Sequence, residues 1–502
     1  MPEPPPPPPT PPTPTPTFSI RGPAPELASQ PAPRFVVVGH PNKGKSSLVA
    51  TLSGDASVRI APEPGTTAKA REFPMRVGTA DTAQTLYTLI DTPGFQRARR
   101  CLAWLEQHST GPADRTDTVR RFVAAHQGTP DFPDEVELLA PIVNADAPAG
   151  VLYVVDGSTP YGPEYEAEME ILRWTGQPSM AVINPIGDAD HTGDWKAALD
   201  QFFKIVRVLD AVAARFPQQL DLLRAFGQLR EDWRQPLDEA VQVLEQRRTA
   251  QRRAAAGLIA QCLADMLQAQ ATRKVDPDQP EDPALRDALQ NELMGKLRKA
   301  ERRCHAAVEE AYDHPGLDRE EADLSPETTQ AIGLDLFSQE AWLLFGLKPK
   351  HLILAGMAGG AATGGIVDAH LLGQSLLAGT LLGGAAGAAA GWWSAGKVAK
   401  LPMTTQRLLG GGTELRCGPI TQPNFPFVLL NRALLHHAAV AQRTHAMRGT
   451  LVINTDTDAG QLNTLGDDQR KQAATLFKTL RKDNTPETLT ALTTLIEHLL
   501  AD

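Results

Sequence analysis

Two glycines, a lysine and a serine near residue 40 have the types and the spacing needed to hold phosphate groups. Gly39 and Gly44 enclose four residues and are followed directly by Lys45 and Ser46. Glycines allow successive backbone N–H groups to point inward at a phosphate, the lysine supplies a positive charge, and the serine hydroxyl is a ligand for Mg²⁺. We therefore predict a nucleotide phosphate loop formed by Asn42, Lys43, Gly44, Lys45, Ser46 and Ser47.

A phosphate loop requires a strand before it and a helix after it, and the sequence predicts both. RFVVV, which starts at Arg34, is an apolar β-branched run typical of a buried strand, and SSLVATL after the loop favours a helix. The N-terminus of that helix adds partial positive charge beside the phosphates. The order strand, glycine loop, helix predicts an α/β domain.

Two further segments follow in the order expected of a nucleotide switch. The first switch segment, residues 61–67, reads APEPGTT and is a loop that ends in hydroxyl groups. The second switch segment is DTPG, residues 91–94, at the end of the strand-like run LYTLI. The Asp91 carboxylate can hold a metal ion through water, and the Gly94 amide can detect a γ-phosphate. Neither segment is distinctive alone, but their order after the phosphate loop is.

The strings GHPNKGKSSL, PGTT and DTPG together resemble the GTPases that modify tRNA or help to assemble ribosomes, the Era-like and TrmE-like class. The resemblance covers roughly residues 34–215 and implies a doubly wound α/β P-loop NTPase domain with Mg²⁺-dependent hydrolysis of GTP. It also implies that Thr67 closes on Mg²⁺. The candidate catalytic residues are then Lys45, Thr67 and Gly94, and the candidate Mg²⁺ ligands are Ser46, Thr67 and Asp91.

The position after DTPG distinguishes this chain from many small GTPases, which carry a water-orienting glutamine there. The residue is Phe95, so hydrolysis cannot use a polar side chain at this position. Relatives with a hydrophobic residue here commonly bind K⁺ through the P-loop asparagine, which would be Asn42. Such an ion would stabilise charge in the transition state. The alternative is that Asn42 only stiffens the loop.

The segment expected to bind the base departs from the family pattern. The runs VLYVVD and SMAVIN predict two more strands, the second of which ends at Asn184. Guanine selectivity normally comes from N-K-x-D at this place, but the chain reads NPIGD, so the lysine is absent and the aspartate is one position late. Either Asp188 reaches the base by a different loop path, or guanine selectivity is relaxed. Asn184 and Asp188 are the candidate base-binding residues.

Composition divides the rest of the chain. We predict a disordered proline-rich tail at 1–33, a P-loop GTPase domain at 34–215 with a helical insert at about 95–149, a helical domain at 216–345, a glycine-zipper helical hairpin at 346–400 and a small C-terminal α(+β) region at 401–502. The tail is either a solvated spacer or a ligand for a protein that reads PxxP. Within the helical domain, Pro236 is expected to begin a long helix, and a second helix is expected from about Pro283 to His314.

Glycines recur every four residues between 356 and 364 and again between 379 and 391. This spacing places them on one helix stripe and lets two backbones approach closely. The uncharged run 371–396 is long enough to span a hydrocarbon core. Residues 352–397 therefore either contact a membrane or form a buried hairpin in a soluble protein. The order of parts over residues 34 to about 450 is similar to that of bacterial GTPases carrying domain of unknown function 3482.

The sequence as a whole favours a nucleotide switch that binds GTP and GDP with Mg²⁺, with or without K⁺, and reports its state to a membrane or protein partner. The expected location is the cytoplasm or the inner face of the cell membrane. One alternative is a nucleotide-binding scaffold with little turnover. Another is a tRNA- or ribosome-associated GTPase, against which the formal net charge of −10 counts because nucleic acid attracts basic surfaces.

Overall fold

The computed structural model describes residues 32–54, 69–77, 84–275, 282–314, 317, 401–407, 413–447 and 466–500. Three predicted features lie outside these residues: Thr67 of the first switch segment, residues 1–31 of the proline-rich tail, and the two glycine ladders, which are the glycines spaced by four residues at 356–364 and at 379–391. The chain divides into two compact units, residues 1–247 with 444–447 and residues 248–443 with 448–502. The domain boundaries expected from the sequence remain predictions.

A six-stranded sheet forms the centre of the first unit. Its strands are β1 (Arg34–Val38), β2 (Arg71–Val77), β3 (Gln84–Asp91), β4 (Gly150–Asp156), β5 (Ser179–Asn184) and β6 (Val206–Val208). They lie in the order β2-β3-β1-β4-β5-β6, and all pairs are parallel except the antiparallel pair of β2 with β3. The four apolar runs found in the sequence become β1, β3, β4 and β5, because parallel strands are covered on both faces.

Helices cover both faces of this sheet. They are α1 (Lys45–Ser53), α2 (Ala98–His108), α3 (Arg115–His126), α4 (Pro133–Leu139), α5 (Glu164–Trp174), α6 (Thr192–Leu199), α7 (Phe216–Gly227) and the start of α8 (Glu231–Gln268). Phe35 and Val37 of β1 pack with α1 and α7, whereas Val36 and Val38 pack with the insert and α5. The alternation along β1 therefore separates two cores, and the predicted doubly wound α/β fold is confirmed.

The register of the sheet brings the candidate site residues to one edge. Val37 of β1 lies opposite Asp91 of β3, and Asp156 of β4 lies opposite Asn184 of β5. Parallel strands end at the same edge, and ligands of open α/β sheets bind beyond their carboxyl ends. The phosphate loop follows β1 at this edge, so sequence segments more than 100 residues apart meet there.

The second unit is mostly helical, as predicted for the C-terminal region, with a small antiparallel sheet. Strands β7 (Ala271–Val275), β8 (Met403–Arg407) and β9 (Thr413–Cys417) lie in the order β7-β9-β8. The remaining helices are α9 (Pro283–Ala311), α10 (Phe425–Gln442), α11 (Asp467–Lys482) and α12 (Pro486–Leu499). The sequence predicts no strand between α8 and α9, but β7 lies there, because pairing with β9 supplies hydrogen-bond partners that the local sequence does not reveal.

The expectation that Pro236 begins the long helix is wrong. Helix α8 begins at Glu231, and Pro236 lies inside it. The turn before the proline carries Trp233, which is buried and packs edge-on against Phe35 with ring centroids 5.1 Å apart. Burial of this indole outweighs the backbone hydrogen bond that Pro236 cannot donate.

No helix among the described residues combines the length and the apolar character needed to cross a bilayer. Residues 352–397, on which the membrane prediction rests, are not among the described residues.

Candidate nucleotide site

The phosphate loop has a backbone shape that only small residues adopt easily. Gly44 has φ of 84°, and a Cβ at this position would lie 2.1 Å from Nδ2 of Asn184. Asn42, an exposed residue, also has a positive φ of 60°. Asparagine tolerates this region better than most residues with a Cβ. The loop therefore takes its path from these two positions, and it leads directly into α1.

Lys45 is held at the base of the loop. Its Nζ donates to the His40 carbonyl oxygen at 3.0 Å, and the side chain is buried. Burial lowers the pKa of Lys45 to about 8, although the nearby carboxylates of Asp91 and Glu168 oppose this shift. A buried ammonium group with a lowered pKa gains from an added anion. The site is thus prepared for phosphate.

Ser46 and Asp91 lie together, as a Mg²⁺ site requires. The Ser46 hydroxyl donates to Oδ2 of Asp91 at 2.8 Å. The adjacent Thr92 donates from Oγ1 to the Val37 carbonyl oxygen at 2.8 Å, which fixes the start of the second switch segment to β1. A hydroxyl and a carboxylate are hard oxygen ligands of the kind that Mg²⁺ prefers, so these two residues fit the ion. Thr67, the third expected ligand, lies outside the described residues.

Gly94 packs directly against the phosphate loop. A Cβ at Gly94 would lie 2.6 Å from the Pro41 nitrogen and 2.9 Å from the Gly39 carbonyl oxygen. The next residue, Phe95, is 1 % exposed and belongs to the apolar core shared with the insert. The backbone of Gly94 is therefore beside the loop, whereas the Phe95 side chain is directed into the protein interior.

Asn184 connects the phosphate loop to the segment that follows β6. Its Nδ2 donates to the Lys43 carbonyl oxygen at 3.1 Å, and its Oδ1 accepts from the Ala211 amide at 2.9 Å. Asp188, the other candidate base-binding residue, is exposed and is not brought against Asn184 by any hydrogen bond among the described residues. The large apolar side chains that are exposed in the described part of the chain are Ile186, Val208 and Val212.

Two carboxylates behind the loop were not found by sequence reasoning. Asp156 accepts a hydrogen bond from Lys43 Nζ at 3.3 Å. Burial alone would raise the pKa of Asp156, but the hydrogen bonds from Ser158 and the charge of Lys43 together outweigh burial and lower this pKa. Glu168 on α5 is 2 % exposed; it accepts from the Tyr153 hydroxyl at 2.8 Å and lies 3.0 Å from Nδ1 of His40. The only sequence signal was the aspartate that ends the VLYVVD strand, because Glu168 looks like an ordinary helix residue.

This geometry defines a P-loop GTPase domain. The chain matches the family described as "50S ribosome-binding GTPase" over residues 34–185 and the family described as "Domain of unknown function (DUF3482)" over residues 196–497. The second match covers more than half of the chain, so the protein belongs to the DUF3482 family. Both resemblances expected from the sequence are confirmed.

Individual relatives match only parts of the chain. GTPase Der of Azoarcus sp. (strain BH72) is 40 % identical over 84 residues, which are 17 % of this chain and 18 % of that protein. GTPase Der of Acidithiobacillus ferrooxidans (strain ATCC 53993 / BNL-5-31) is 28 % identical over 188 residues, 35 % of this chain and 39 % of that protein. The chain thus spans less than two fifths of the length of these relatives.

Among solved structures, Era of Aquifex aeolicus bound to GDP and aluminium fluoride has 15 % sequence identity and a TM-score of 0.25, and the match covers 57 % of this chain and 91 % of that chain.

Proposed function

We propose that this protein is a switch that binds GTP with Mg²⁺ and hydrolyses it. The observation that carries the proposal is the meeting of Lys45, the Ser46–Asp91 pair and the Gly94 backbone around one loop at the carboxyl edge of the sheet. The lysine matches the phosphate charge, the Ser46–Asp91 pair matches the metal ion, and the Gly94 amide matches the γ-phosphate of a nucleoside triphosphate.

In this mechanism, Lys45 neutralises charge on the β- and γ-phosphates, and Ser46 and Asp91 would hold the metal ion. When bound there, Mg²⁺ would supply Lewis-acid stabilisation of the charge on the phosphates. The Gly94 amide donates to the γ-phosphate, and Thr67 closes from the first switch segment. Phe95 cannot orient the attacking water, so hydrolysis depends on backbone donors and on charge. A K⁺ ion beside Asn42, whose left-handed backbone presents it to solvent, would add to that charge.

A second candidate function is a nucleotide-binding scaffold with little turnover. Phe95 favours it, since no water-orienting side chain stands directly after the second switch segment and the phenyl ring is buried. Such a protein would bind GTP tightly and release phosphate slowly or not at all.

The proposed readout of the switch is a membrane or membrane-protein partner that contacts residues 352–397. The proline-rich tail is proposed as the ligand of a second protein. The motivation is the joining of a nucleotide site to two glycine ladders in one chain. The location proposed with this readout is the cytoplasm or the inner face of the cell membrane. Nucleic acid is the less favoured partner because the formal net charge is −10.

The enzymatic part of the proposal is tested by release of phosphate from GTP, with and without Mg²⁺ and in K⁺ against Na⁺. We expect the wild type to turn over, Lys45→Ala to lose at least about a thousandfold in rate, and the exposed Lys204→Ala to match the wild type. Equal release by the wild type and Lys45→Ala would refute hydrolysis at this site. Tight binding of GTP by the wild type without release would identify the scaffold instead.

Two simpler measurements test the remaining parts. The nucleotide retained on purification, followed by competition between GTP and ATP, decides the base preference; dominant retention of ATP would refute the assignment of GTP. Fractionation of cells that express the full chain or a chain lacking residues 352–397 tests the membrane partner. A full-length protein found only in the soluble fraction would argue against that partner.

A further inference from the structure

Helix α4 of the insert carries a buried carboxylate that binds the backbone directly after the second switch segment. Glu135 is 0 % exposed, and its Oε1 accepts from the Gln96 amide at 2.9 Å and from the Arg97 amide at 2.5 Å. These amides belong to the two residues that follow Phe95. Hydrogen bonds to an ionised acceptor are about twice as strong as those between neutral groups.

The same backbone is attached to the turn that precedes α4. The Arg97 guanidinium donates to the Pro130 carbonyl oxygen at 3.3 Å and also to the Asp131 carbonyl oxygen. One turn further along α2, the Arg100 guanidinium lies 5.4 Å from the centroid of the Phe132 ring. Both side-chain and backbone groups therefore fasten the chain after Gly94 to this part of the insert.

A second carboxylate on α4 binds the chain that leaves the first switch segment. Glu137 accepts from the Ala70 amide through Oε2 at 3.1 Å. Ala70 follows Thr67 by three residues and directly precedes β2. Helix α4 thus has one acceptor for each of the two segments that are expected to respond to the nucleotide.

A structural role alone explains Glu135 poorly. A polar neutral side chain could accept two amides without the large penalty of burying a charge. Its other oxygen, Oε2, is buried and has no hydrogen-bond partner within the described part of the chain. The hydrogen bonds that this carboxylate accepts within the described residues therefore come from the Gln96 and Arg97 amides, the first of which is two residues from the Gly94 amide, and Phe95 between them supplies no polar side chain.

We infer that helix α4 is an in-chain positioning element for both switch segments. Glu135 fixes the backbone after Gly94 so that the Gly94 amide meets the γ-phosphate, and Glu137 holds the backbone at Ala70, three residues after the first switch segment, at the same helix. Neither glutamate touches the nucleotide, so both are positioning residues. The inference rests on the proposed function, because it takes a γ-phosphate as the group detected.

The affinities for GDP and for a non-hydrolysable GTP analogue, both with Mg²⁺, test this role in the full chain. Only the analogue engages the Gly94 amide through a γ-phosphate. Glu135→Gln should lower affinity for the analogue about tenfold and leave affinity for GDP within about twofold, since it weakens charge-assisted bonds that matter only when the γ-phosphate is present. Glu137→Gln should act in the same direction by about threefold. The exposed Glu106→Gln on α2 of the insert is the matched control and should change neither affinity.

A purely structural role would lower both affinities together or neither. An unchanged ratio of analogue to GDP affinity in either Glu135→Gln or Glu137→Gln would overturn the inference that α4 serves both switch segments. If Glu135→Gln does not fold, the ratio of analogue to GDP affinity in Glu137→Gln still decides the question, because Glu137 is partly exposed. Because binding is measured without turnover, a wild type that releases no phosphate would refute hydrolysis while leaving this test intact.

Discussion

The phosphate end and the base end of the nucleotide site differ in how firmly the protein holds their side chains. At the phosphate end, Gly44 and Gly94 leave no space for a Cβ, and Lys45, Ser46 and Asp91 are held by hydrogen bonds within the loop and sheet edge. At the base end, Asp188 is exposed, and Ile186 in the same NPIGD segment is 53 % exposed. The groups of the phosphate end are therefore held by contacts within the protein, whereas these two side chains of the base end are open to solvent.

This difference follows from what each end must recognise. Phosphate is bound by backbone amides and charge, so its site needs an unusual backbone path that few sequences permit. A base is recognised by side chains at its edge and by apolar contact with its faces, which many loops can provide. Asn184, a candidate base-binding residue, bonds to the phosphate end through the Lys43 carbonyl oxygen and also accepts from the Ala211 amide.

The largest effect is expected where the phosphate end has least space. In Gly44→Ala the new Cβ would lie 2.1 Å from Nδ2 of Asn184, at a φ of 84° that disfavours alanine. Strain of about 1–3 kcal/mol, with displacement of the loop, should weaken GDP binding about a hundredfold in a fluorescent-nucleotide titration. Gly193→Ala on α6, where a Cβ meets nothing within 4 Å, is the matched control and should bind normally. Normal binding by Gly44→Ala would show that the loop is not rigid.

The next effect tests the link between the two ends. Asn184→Ala removes the acceptor of the buried Ala211 amide together with the donor to the Lys43 carbonyl oxygen. An unsatisfied buried amide costs about 1–3 kcal/mol, so the free energy of unfolding should fall by that amount in urea denaturation. GDP affinity should fall about thirtyfold, because the phosphate loop loses its support. Loss of affinity without loss of stability would instead indicate direct contact of Asn184 with the base.

The sequence predicted the phosphate end well because its chemistry is contiguous. Residues 39–46 carry the loop's sequence pattern by themselves, directly between the strand and the helix that flank it. Four of the six strands were equally accessible, since runs such as VLYVVD and SMAVIN are buried on both faces and read as apolar.

Contacts between distant segments could not be predicted in the same way. Glu168, Glu135 and the partner of Lys43 depend on which helix packs over which strand, and a single glutamate in a helix has no distinctive pattern. Strand β7 and the start of α8 were missed for the same reason: β9 pairs with the first, and Phe35 helps to bury Trp233 of the second. Strand pairing decided the first and burial of Trp233 the second, in both cases against local propensity.

A smaller effect concerns the protonation of Lys45, whose pKa is lowered to about 8 by burial. Phosphate binds the charged form, so GDP affinity should fall as pH rises through about 8 and should be about tenfold weaker near pH 9 than near pH 7. The stability of the nucleotide-free protein has the opposite sign: the folded pKa lies below the ordinary 10.5, so stability rises with pH between about 8 and 10.5. Lys45→Met should bind weakly and without this pH dependence. A flat profile in the wild type would show that Lys45 keeps an ordinary pKa.

The smallest effect sharpens the comparison at the base end. Cδ1 of Ile186 lies 3.9 Å from the Cβ position of Gly44, so this exposed side chain borders the phosphate loop on the base side. We expect Ile186→Ser to weaken GTP and ATP equally, by about threefold, because burial of several tens of Å² of apolar surface is worth about 1 kcal/mol and does not read the base edge. Val208→Ser, at a side chain that is 50 % exposed on β6, is the control for loss of exposed apolar surface and should have no effect.

Asp188→Ala provides the opposing test of the same end. If base recognition is apolar, this variant leaves the ratio of GTP to ATP affinity within about twofold, and both nucleotides compete in the wild type on similar terms. A charge-assisted hydrogen-bond pair to guanine would be worth about 1.5–3 kcal/mol, so a carboxylate that reads the base would make the ratio fall about tenfold or more on removal. That result would mean that the base end is also specific, with its reading group displaced by one position. The contrast between the two ends would then lie in how far the protein holds their side chains rather than in whether they select a ligand.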